Sequence, residues 1–566
     1  MKNYIMMSLC LLCAVLFTTS CKEEPFVENP SGEVFIYRLN VTNGGLTGAE
    51  TYEGTVDEAT KTVAFTIPAE SDIEALKFSG KLSLGAKLDK ESYDVSSGSA
   101  EVRVLNGENV GVYNVTVTLN APTQTPILQK LLVKNASGQV KEAYISELDK
   151  TVYLGCEGNA SVEITEVSCL PKRTTVTLSD GSNNVVSAEN PGKVLMDFMG
   201  LTNEYRLSFE GEPVFGADFK LGQTYDFTKN PMGADCYPDF AAENTRSADF
   251  DGETMLIVSR EGGTFPKVLK FADLKAGSPN EKVLNITGIA GGTYVISAGR
   301  LSQKHIYICN LTTGVNAGDA ALKVYHWANE DAAPEVVLEF TGEATNASVT
   351  GGRFGDNMSV NLDENGNGTM FFLTQDGTQM LRFDVQAFTT ISNPTFITPG
   401  TSAPYYASVN QVYGSDNEFV YTSTQAQLML IDRDGNELFK LDVDAIPKQG
   451  TDARIITYDA ERYLIMTTGR NGSWSGDPAQ VFYVYDLSAG ANTVLALSNF
   501  AASERIPLFS FSLDGANCSA PAANTGWGIG DDGMLRLMTS AARSGFAVFE
   551  FPEKQQYNSI CRFNHR

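Results

Sequence analysis

The chain has 566 residues, an apolar fraction of 42% and a formal net charge of −26. This length predicts several domains, and the charge argues against binding to nucleic acid or to anionic lipid through charge alone. A charged fraction of 19% together with 51 glycines favours an all-β protein rich in turns.

Residues 1–20 predict an export signal, with Lys2 as its positive end and an apolar run over 5–17. As a helix this run would reach roughly 20 Å, which is short of the ~30 Å hydrocarbon core of a bilayer. Small residues then lead into Cys21, whose thiol we expect to carry the lipid of a bacterial lipoprotein. The alternative is an ordinary secretory signal with a chance cysteine. Residues 21–30 predict a polar tether.

Short strands with alternating polarity fill residues 31–120, in segments such as "FIYRLNV" and "YNVTVTLN". About ninety residues of such strands predict an Ig-like β-sandwich. The proline-containing segment 121–126 is typical of a stiff linker. We predict a second Ig-like β-sandwich over 125–228.

An internal repeat supports two modules of the same kind. "RLNVTN" at 38–43 recurs as "LLVKNA" at 131–136, and "ATKTVAF" at 59–65 recurs as "LDKTVYL" at 148–154. Because the order and the spacing of both segments agree, we predict equivalent strands in the two modules.

Residues 229–566 repeat a different motif, in which a turn precedes an apolar strand, a polar loop and a second strand. Six copies of roughly 55 residues predict a β-propeller, because a single blade cannot bury both of its faces. A count of seven blades is the alternative if residues 229–250 and the C-terminal tail form a further blade. A linear β-solenoid is the alternative to a propeller. Each copy thus contributes a pair of strands, and the leading members of the six pairs are "DGETMLIVS", "KHIYICN", "GNGTMFFLT", "NEFVYTS", "ERYLIMT" and "DGMLRLMT".

This layout, with Cys21 followed by Lys22-Glu23-Glu24, resembles that of uncharacterised Bacteroidetes surface lipoproteins associated with polysaccharide utilisation. The resemblance implies a lipid anchor in the outer membrane and a protein that faces the cell exterior. It supplies no functional residues for transfer to this chain.

Catalytic signatures are weak. The sequence has three histidines, His305, His326 and His565, and the first two are interpreted as strand residues. It contains no G-x-S-x-G elbow and no H-E-x-x-H helix. We therefore assign no catalytic residue, and enzymatic activity stays open.

Sugar binding would use aromatic faces beside amides and carboxylates. Trp474 is the first candidate because it lies in a loop of glycine, serine and aspartate, and its alternative role is as a loop anchor. Trp327, in a strand, is the weakest. The other ligand-binding candidates are Arg470, Asn471, Asp477, Trp527, Tyr405 and Tyr406.

A calcium ion is the one cofactor that the sequence suggests. Asp363, Asn365 and Asn367 match the first half of an EF-hand loop. The twelfth position is Thr374 instead of glutamate, and Asn-Gly is also an ordinary hairpin signal. A turn and a calcium site therefore both fit this segment.

We expect a non-catalytic surface protein that binds glycan for polysaccharide utilisation. One alternative is a glycan-cleaving propeller enzyme, either a hydrolase or a lyase. Another is an adhesion or assembly component that binds a surface protein. The expected partners are thus a polysaccharide or a surface protein, with the outer membrane contacted through the lipid.

Overall fold

The computed structural model describes residues 32–179, 184–211, 213–228, 236–261, 265–315, 320–342, 352–404, 406–441, 450–468, 480–513 and 522–554. The predicted signal, the lipidation site Cys21 and the tether lie outside these ranges. The described chain is all-β, and none of its helices is long and apolar enough to cross a membrane. It divides into two compact units, Met1–Ile145 with Lys150–Gly211, and Ser146–Asp149 with Glu212–Arg566.

The first unit contains two pairs of sheets. The strands are β1 (Ile36–Gly44), β2 (Glu50–Glu53), β3 (Thr55–Asp57), β4 (Thr62–Ile67), β5 (Phe78–Leu82), β6 (Lys87–Leu88), β7 (Ser99–Asn106), β8 (Asn109–Leu119), β9 (Ile127–Lys134), β10 (Val140–Glu142), β11 (Tyr144–Ser146), β12 (Thr151–Tyr153), β13 (Ser161–Leu170), β14 (Thr175–Leu178), β15 (Val185–Ser187), β16 (Lys193–Phe198) and β17 (Leu201–Ser208). The sheet orders are β2-β1-β5 with β3-β4-β8-β7-β6, and β10-β9-β13-β15 with β11-β12-β17-β16-β14.

The two pairs of sheets share local features at equivalent positions. Lys61 and Lys150 both have a left-handed backbone, with φ of 56° and 53°. Each immediately precedes a strand that pairs in parallel with the last strand of its module, β4 with β8 and β12 with β17. Tyr113 and Tyr205 are fully buried in those last strands, and the neighbouring lysine ammonium lies over each ring. These features match the repeat seen in the sequence.

The second unit is built from the remaining strands. They are β18 (Gln223–Thr228), β19 (Thr245–Phe250), β20 (Thr254–Ser259), β21 (Lys267–Lys270), β22 (Lys282–Val283), β23 (Tyr294–Ser302), β24 (His305–Leu311), β25 (Leu322–Trp327), β26 (Glu335–Phe340), β27 (Ser359–Leu362), β28 (Gly368–Leu373), β29 (Met380–Gln386), β30 (Thr390–Ile391), β31 (Thr395–Ile397), β32 (Ser408–Gln411), β33 (Glu418–Ser423), β34 (Ala426–Asp432), β35 (Glu437–Lys440), β36 (Gly450–Tyr458), β37 (Glu461–Thr468), β38 (Gln480–Asp486), β39 (Phe509–Leu513), β40 (Ala523–Ile529), β41 (Leu535–Ala541) and β42 (Gly545–Phe551). The helices are α1 (Phe271–Lys275), α2 (Thr493–Ala502) and a 3-10 turn at Pro238–Phe240.

These strands form six antiparallel sheets within the described part of the unit. The sheet orders are β19-β20-β21-β22, β23-β24-β25-β26, β27-β28-β29-β30 with β31 also on β29, β32-β33-β34-β35, β36-β37-β38-β39 and β40-β41-β42-β18. The first strand of each sheet is the first one in this order, and each of the six strand pairs of the sequence motif forms the second and third strands of one sheet. Strands β41 and β42 are buried at every position, which agrees with their largely apolar sequences, since both faces of these strands are covered.

One boundary differs from the sequence prediction. We expected the second sandwich to extend through residue 228, but β18 pairs antiparallel with β42, from Gln223 opposite Glu550 to Thr228 opposite Gly545. The strand therefore belongs to the second unit, where it completes the sheet β18-β42-β41-β40.

Hydrogen bonds connect the first strands of the six sheets in cyclic order, β19, β23, β27, β32, β36, β40 and back to β19. The bonds are Ser247 Oγ to Gly299 O, Leu362 N to Ser302 Oγ, Gln411 N to Asn361 Oδ1, Asn410 Nδ2 to Ala453 O, Thr525 N to Asp452 Oδ2 and Asn524 Nδ2 to Arg246 O. The strands run in the same direction, so all six begin at one face of the unit. We call this the upper face and the opposite one the lower face.

Polar side chains of the first strands meet between the sheets and form a buried network. Arg454 Nη2 donates to Asp249 Oδ1 at 2.7 Å, and the Asp249 side chain is 2% exposed. The second carboxylate oxygen of Asp249 accepts the Leu301 N–H at 2.8 Å. Burial lowers the pKa of Arg454, but the carboxylates of Asp249 and Asp452 outweigh it and hold that pKa above its ordinary value. This ion pair joins two sheets that are not neighbours in the cycle.

Replacing Arg454 by Met would leave the Asp249 carboxylate buried without its guanidinium partner. We expect the free energy of unfolding to fall by about 3–5 kcal/mol. Adding Asp249→Asn removes the unpaired charge, so the double variant should recover part of this loss. Urea unfolding followed by tryptophan fluorescence measures both, because all three tryptophans belong to the second unit. A double variant less stable than Arg454→Met alone would contradict the argument.

Candidate functional site

A small pocket opens at the upper face of the second unit. It is formed by the segment before β27, the hairpin between β28 and β29, and the segment before β32, so two neighbouring sheets contribute to it. Its lining residues are Arg353, Asp356, Asn357, Leu373, Thr374, Gln375, Tyr406 and Ala407.

Asp356 holds two arginines at the pocket. Its carboxylate accepts Arg353 Nε at 2.7 Å and Arg353 Nη2 at 2.9 Å, in a bidentate arrangement. It also accepts Arg260 Nη2 at 2.8 Å. Arg260 follows directly on the apolar strand β20, and its side chain is 2% exposed. Ser297 Oγ accepts a further bond from Arg260 Nε at 3.0 Å.

The charges in this cluster stabilise one another. Burial raises the pKa of Asp356, but the hydrogen bonds and positive charges of Arg353 and Arg260 outweigh it and leave that pKa below its ordinary value. The bond to Asp356 raises the pKa of Arg353. Burial lowers the pKa of Arg260, and the neighbouring charge of Arg246 acts in the same direction. A carboxylate and its arginines therefore stay ionised together.

Tyr406 forms the other wall of the pocket and is half-buried. Its hydroxyl accepts a hydrogen bond from Arg246 Nη1 at 3.3 Å, and Arg246 Nε donates to Glu243 O at 2.8 Å. Tyr406 has a φ of 51°, an uncommon backbone conformation for a residue with a large side chain. Such strained conformations persist only where the surrounding structure holds them in place, and they occur most often at functional sites.

Asn357 adds an unsatisfied acceptor beside Tyr406. Its Nδ2 donates to the carbonyl of Ala407, next to Tyr406 in the chain. Its Oδ1 is buried and has no hydrogen-bond partner within the described ranges. A buried acceptor without a partner costs about 1–3 kcal/mol, so a ligand hydroxyl that donated to this oxygen would bind favourably.

Of the residues proposed from sequence, Tyr406 lines the pocket. Its neighbour Tyr405 and the loop candidates Trp474, Arg470, Asn471 and Asp477 lie outside the described residues. Trp527 is half-buried near the end of β40, and its ring makes an edge contact with Tyr413 at 4.9 Å. Because β40 ends at the lower face, the structure does not bring Trp527 to the pocket.

Trp327 and the four described cysteines belong to hydrophobic cores. Trp327 is fully buried, and its Nε1 donates to Asn285 O at 2.9 Å. Cys156 and Cys169 are buried free thiols. Cys309 is also a buried free thiol, in agreement with its apolar setting in the sequence.

The calcium candidate forms the hairpin between β27 and β28. Asp363 Oδ1 accepts the N–H groups of Asn365 and Asn367, both at 2.8 Å. Asn367 Oδ1 accepts the Ala387 N–H at 3.2 Å. Asp432 makes the same two bonds with Asp434 and Asn436 in another hairpin. These oxygens accept hydrogen bonds from backbone amides, as expected for an ordinary turn. A cation would therefore have to compete with those amides for the same oxygens.

Sequence reasoning missed the arginine cluster. Arg246 lies in a first strand, Arg260 follows a second strand, and Arg353 precedes another first strand. Arg246 and Arg260 lie at strand termini and Arg353 lies in the segment before a strand, all at the same face, but they are distant in sequence. Aligning the repeats by strand and marking charged residues at the upper termini would have identified them.

A second polar cluster contains both described histidines. His305 Nδ1 and His326 Nε2 share a hydrogen bond of 2.7 Å, and His326 Nδ1 lies 2.8 Å from Glu335 Oε1. His305 also stacks on the ring of Phe388 at 4.0 Å. Burial and the neighbouring His326 imidazole lower the pKa of His305 below its ordinary value. The native state therefore favours neutral His305.

Because the folded state lowers this pKa, His305 contributes stability above pH 6.5 that is lost as the pH falls through its folded pKa. We expect His305→Gln to lower the melting temperature near neutral pH, through the lost ring contacts, and to flatten its decline below about pH 6.5. Thermal unfolding at a series of pH values measures the slope. An unchanged slope would show that His305 does not titrate in this way.

These observations define an all-β protein whose second unit has a charged pocket at one face. The chain belongs to the family described as "Domain of unknown function (DUF4623)", whose model matches residues 27–137 and 203–554. The second of these ranges includes the whole pocket.

One solved relative is the crystal structure of a DUF4623 family protein from Bacteroides eggerthii DSM 20697. The two proteins share 26% sequence identity, and their structures superpose with a TM-score of 0.55 over 92% of this chain and 99% of that chain. No curated protein matches this chain.

Proposed function

We propose that this protein is a non-catalytic glycan-binding lipoprotein of the cell surface. In this proposal the second unit is a six-bladed β-propeller, and the first unit contains two Ig-like β-sandwiches that act as a spacer. The glycan occupies the upper-face pocket beside Tyr406. Calcium is not required for this site, since the turn at Asp363 lies at the other end of β27.

The propeller assignment is supported by the pairing pattern of the second unit. Six sheets of consecutive antiparallel strands contact one another through their first strands in cyclic order. The strand β18, from the beginning of the unit, completes the sheet at its end. This arrangement is typical of a closed propeller, whereas a linear solenoid has two free ends.

The observation that carries the binding function is the composition of the pocket. The ring of Tyr406 lies beside Arg353, Asn357 and Gln375, whose side chains offer hydrogen-bond donors and acceptors. Sugars present apolar ring faces together with hydroxyl groups, so a site of this composition suits them. The buried, unpartnered Oδ1 of Asn357 supplies an acceptor for one such hydroxyl.

The surface location is supported by Cys21 and the acidic residues after it, and by the Bacteroides source of the solved relative. A lipid anchor would hold the binding unit at the membrane without a spanning helix.

Replacing Tyr406 by Ala removes the aromatic wall of the pocket. We expect it to weaken glycan binding by about tenfold, in the range typical of a central aromatic contact. Affinity electrophoresis in gels that contain neutral or acidic polysaccharides measures retardation, and an assay of reducing ends measures cleavage. Tyr413→Ala is the matched control, because Tyr413 is 55% exposed and follows a first strand at the lower face.

Other outcomes of this experiment would favour a different site or a different function. Loss of binding in Tyr413→Ala but not in Tyr406→Ala would move the site to Trp527 at the lower face. Release of reducing sugar would favour a glycan-cleaving enzyme. Failure to bind any polysaccharide in the panel would contradict glycan binding and favour an adhesion or assembly role.

Replacing Cys21 by Ala removes the thiol that would carry the lipid. We expect the wild-type protein to incorporate labelled fatty acid in a Bacteroides host and the variant to incorporate none. The variant should also leave the membrane fraction. Continued labelling of the variant would contradict the lipoprotein assignment.

A further inference from the structure

Among the described side chains that line the pocket or hydrogen-bond to its lining, three arginines (Arg246, Arg260 and Arg353) outnumber two carboxylates (Asp356 and Asp376), on a strongly acidic protein. The whole chain has a formal net charge of −26, yet Arg353 lines this pocket, and Arg260 and Arg246 donate hydrogen bonds to its lining residues Asp356 and Tyr406. Within the described ranges, Asp356 is the one carboxylate that forms an ion pair with any of these three side chains. The nearby Glu243 carboxylate lies 3.5 Å from the guanidinium of Arg543 instead.

The three arginines also have hydrogen-bonding capacity beyond their protein contacts. A guanidinium group has five N–H donors. In the described part of the chain each of the three makes two hydrogen bonds to protein acceptors. Only Asp356 among those acceptors carries a charge. An anionic ligand would supply the acceptors and the second negative charge that the cluster lacks.

We propose that the pocket binds the anionic group of an acidic polysaccharide, either the carboxylate of a uronic acid or a sulfate ester. This inference rests on the proposed glycan-binding function and names its substrate class. Arginine is suited to both groups, because its planar fork donates two parallel hydrogen bonds to a pair of oxygens. Arg246 and Arg353 contact the anion, and Tyr406 contacts the sugar ring that carries it.

The negative net charge of the protein distinguishes binding at a local site from general electrostatic adsorption of a polyanion. A net charge of −26 repels a polyanion at long range, most strongly at low ionic strength. General electrostatic adsorption therefore cannot account for retention of an acidic polysaccharide by this protein. Any such retention has to come from a local site of opposite charge.

The variant Arg246→Gln tests the proposal with little risk to folding. Arg246 is half-buried and forms no ion pair in the described ranges, whereas Arg260 and Arg353 support the buried Asp356. Arg246→Lys keeps the charge but loses the planar fork. The control is Arg433→Gln, an arginine that is 42% exposed beside Asp384 and lies in a hairpin at the lower face. Thermal unfolding of each full-length variant checks that it is folded.

The ligands are polygalacturonate, which carries carboxylates, dextran sulfate, which carries sulfate esters, and neutral dextran. We expect the wild type to bind one of the two acidic polymers and not dextran. Arg246→Gln should bind that polymer at least about tenfold more weakly, as for a lost charge-assisted hydrogen bond, and Arg246→Lys should be intermediate. Arg433→Gln should bind as the wild type does. The polymer that is bound distinguishes carboxylate from sulfate recognition.

Other results would overturn the proposal in distinguishable ways. Equal binding of dextran and the acidic polymers, weakened by Tyr406→Ala but not by Arg246→Gln, would retain glycan binding and exclude recognition of an anion. Equal weakening by Arg246→Gln and Arg433→Gln would show diffuse charge attraction instead of a site. If the wild type bound none of the three polymers and no other polysaccharide in the panel, both this inference and the proposed function would be overturned.

Discussion

The pairing of β18 with β42 is the interaction on which the rest of the second unit depends. The two strands are far apart in the chain, and a bond between Tyr225 Oη and Glu550 Oε2 across this pair links residues separated by 325 positions. Without β18 the last sheet would expose the outer edge of β42, whose residues are all buried. Forming this pair requires the closure of a very long loop, whose entropic cost grows only slowly with length. The apolar contacts of the last sheet offset that cost.

Cyclic contact between the first strands determines where the functional groups lie. Because the six strands run in one direction, their first residues collect at one face, together with the hairpins between second and third strands. Arg353 and Tyr406, which line the pocket, and Arg246 and Arg260, which bond to its lining, come from different segments but meet for this reason. The ion pair between Asp249 and Arg454 lies further along the same strands and occupies the space between the sheets, where both carboxylate oxygens of Asp249 accept hydrogen bonds.

The pocket shows how a local charge can differ from the charge of the whole molecule. A large net charge keeps protein molecules apart through mutual repulsion, but exposed charges have little effect on groups that lie more than a Debye length away. Arg260 is almost completely buried beside Asp356, where water screens its field less than at the surface. A site with surplus positive charge can therefore exist on a protein with a large negative net charge.

The sequence alone determined the strand content, the repeat in the first unit and the six strand pairs of the second. Alternating or continuous apolar segments and turn residues are local signals, and they record whether one or both faces of a strand are buried. A local signal, an aromatic pair at the beginning of a repeat, also suggested Tyr406, which lines the pocket. Only the tertiary structure assigned β18 to the second unit, since its partner lies at the other end of the chain. It alone brought Arg246, Arg260 and Arg353 to Tyr406, because each arginine is unremarkable in its own segment and becomes part of a site only when separate sheets contact one another.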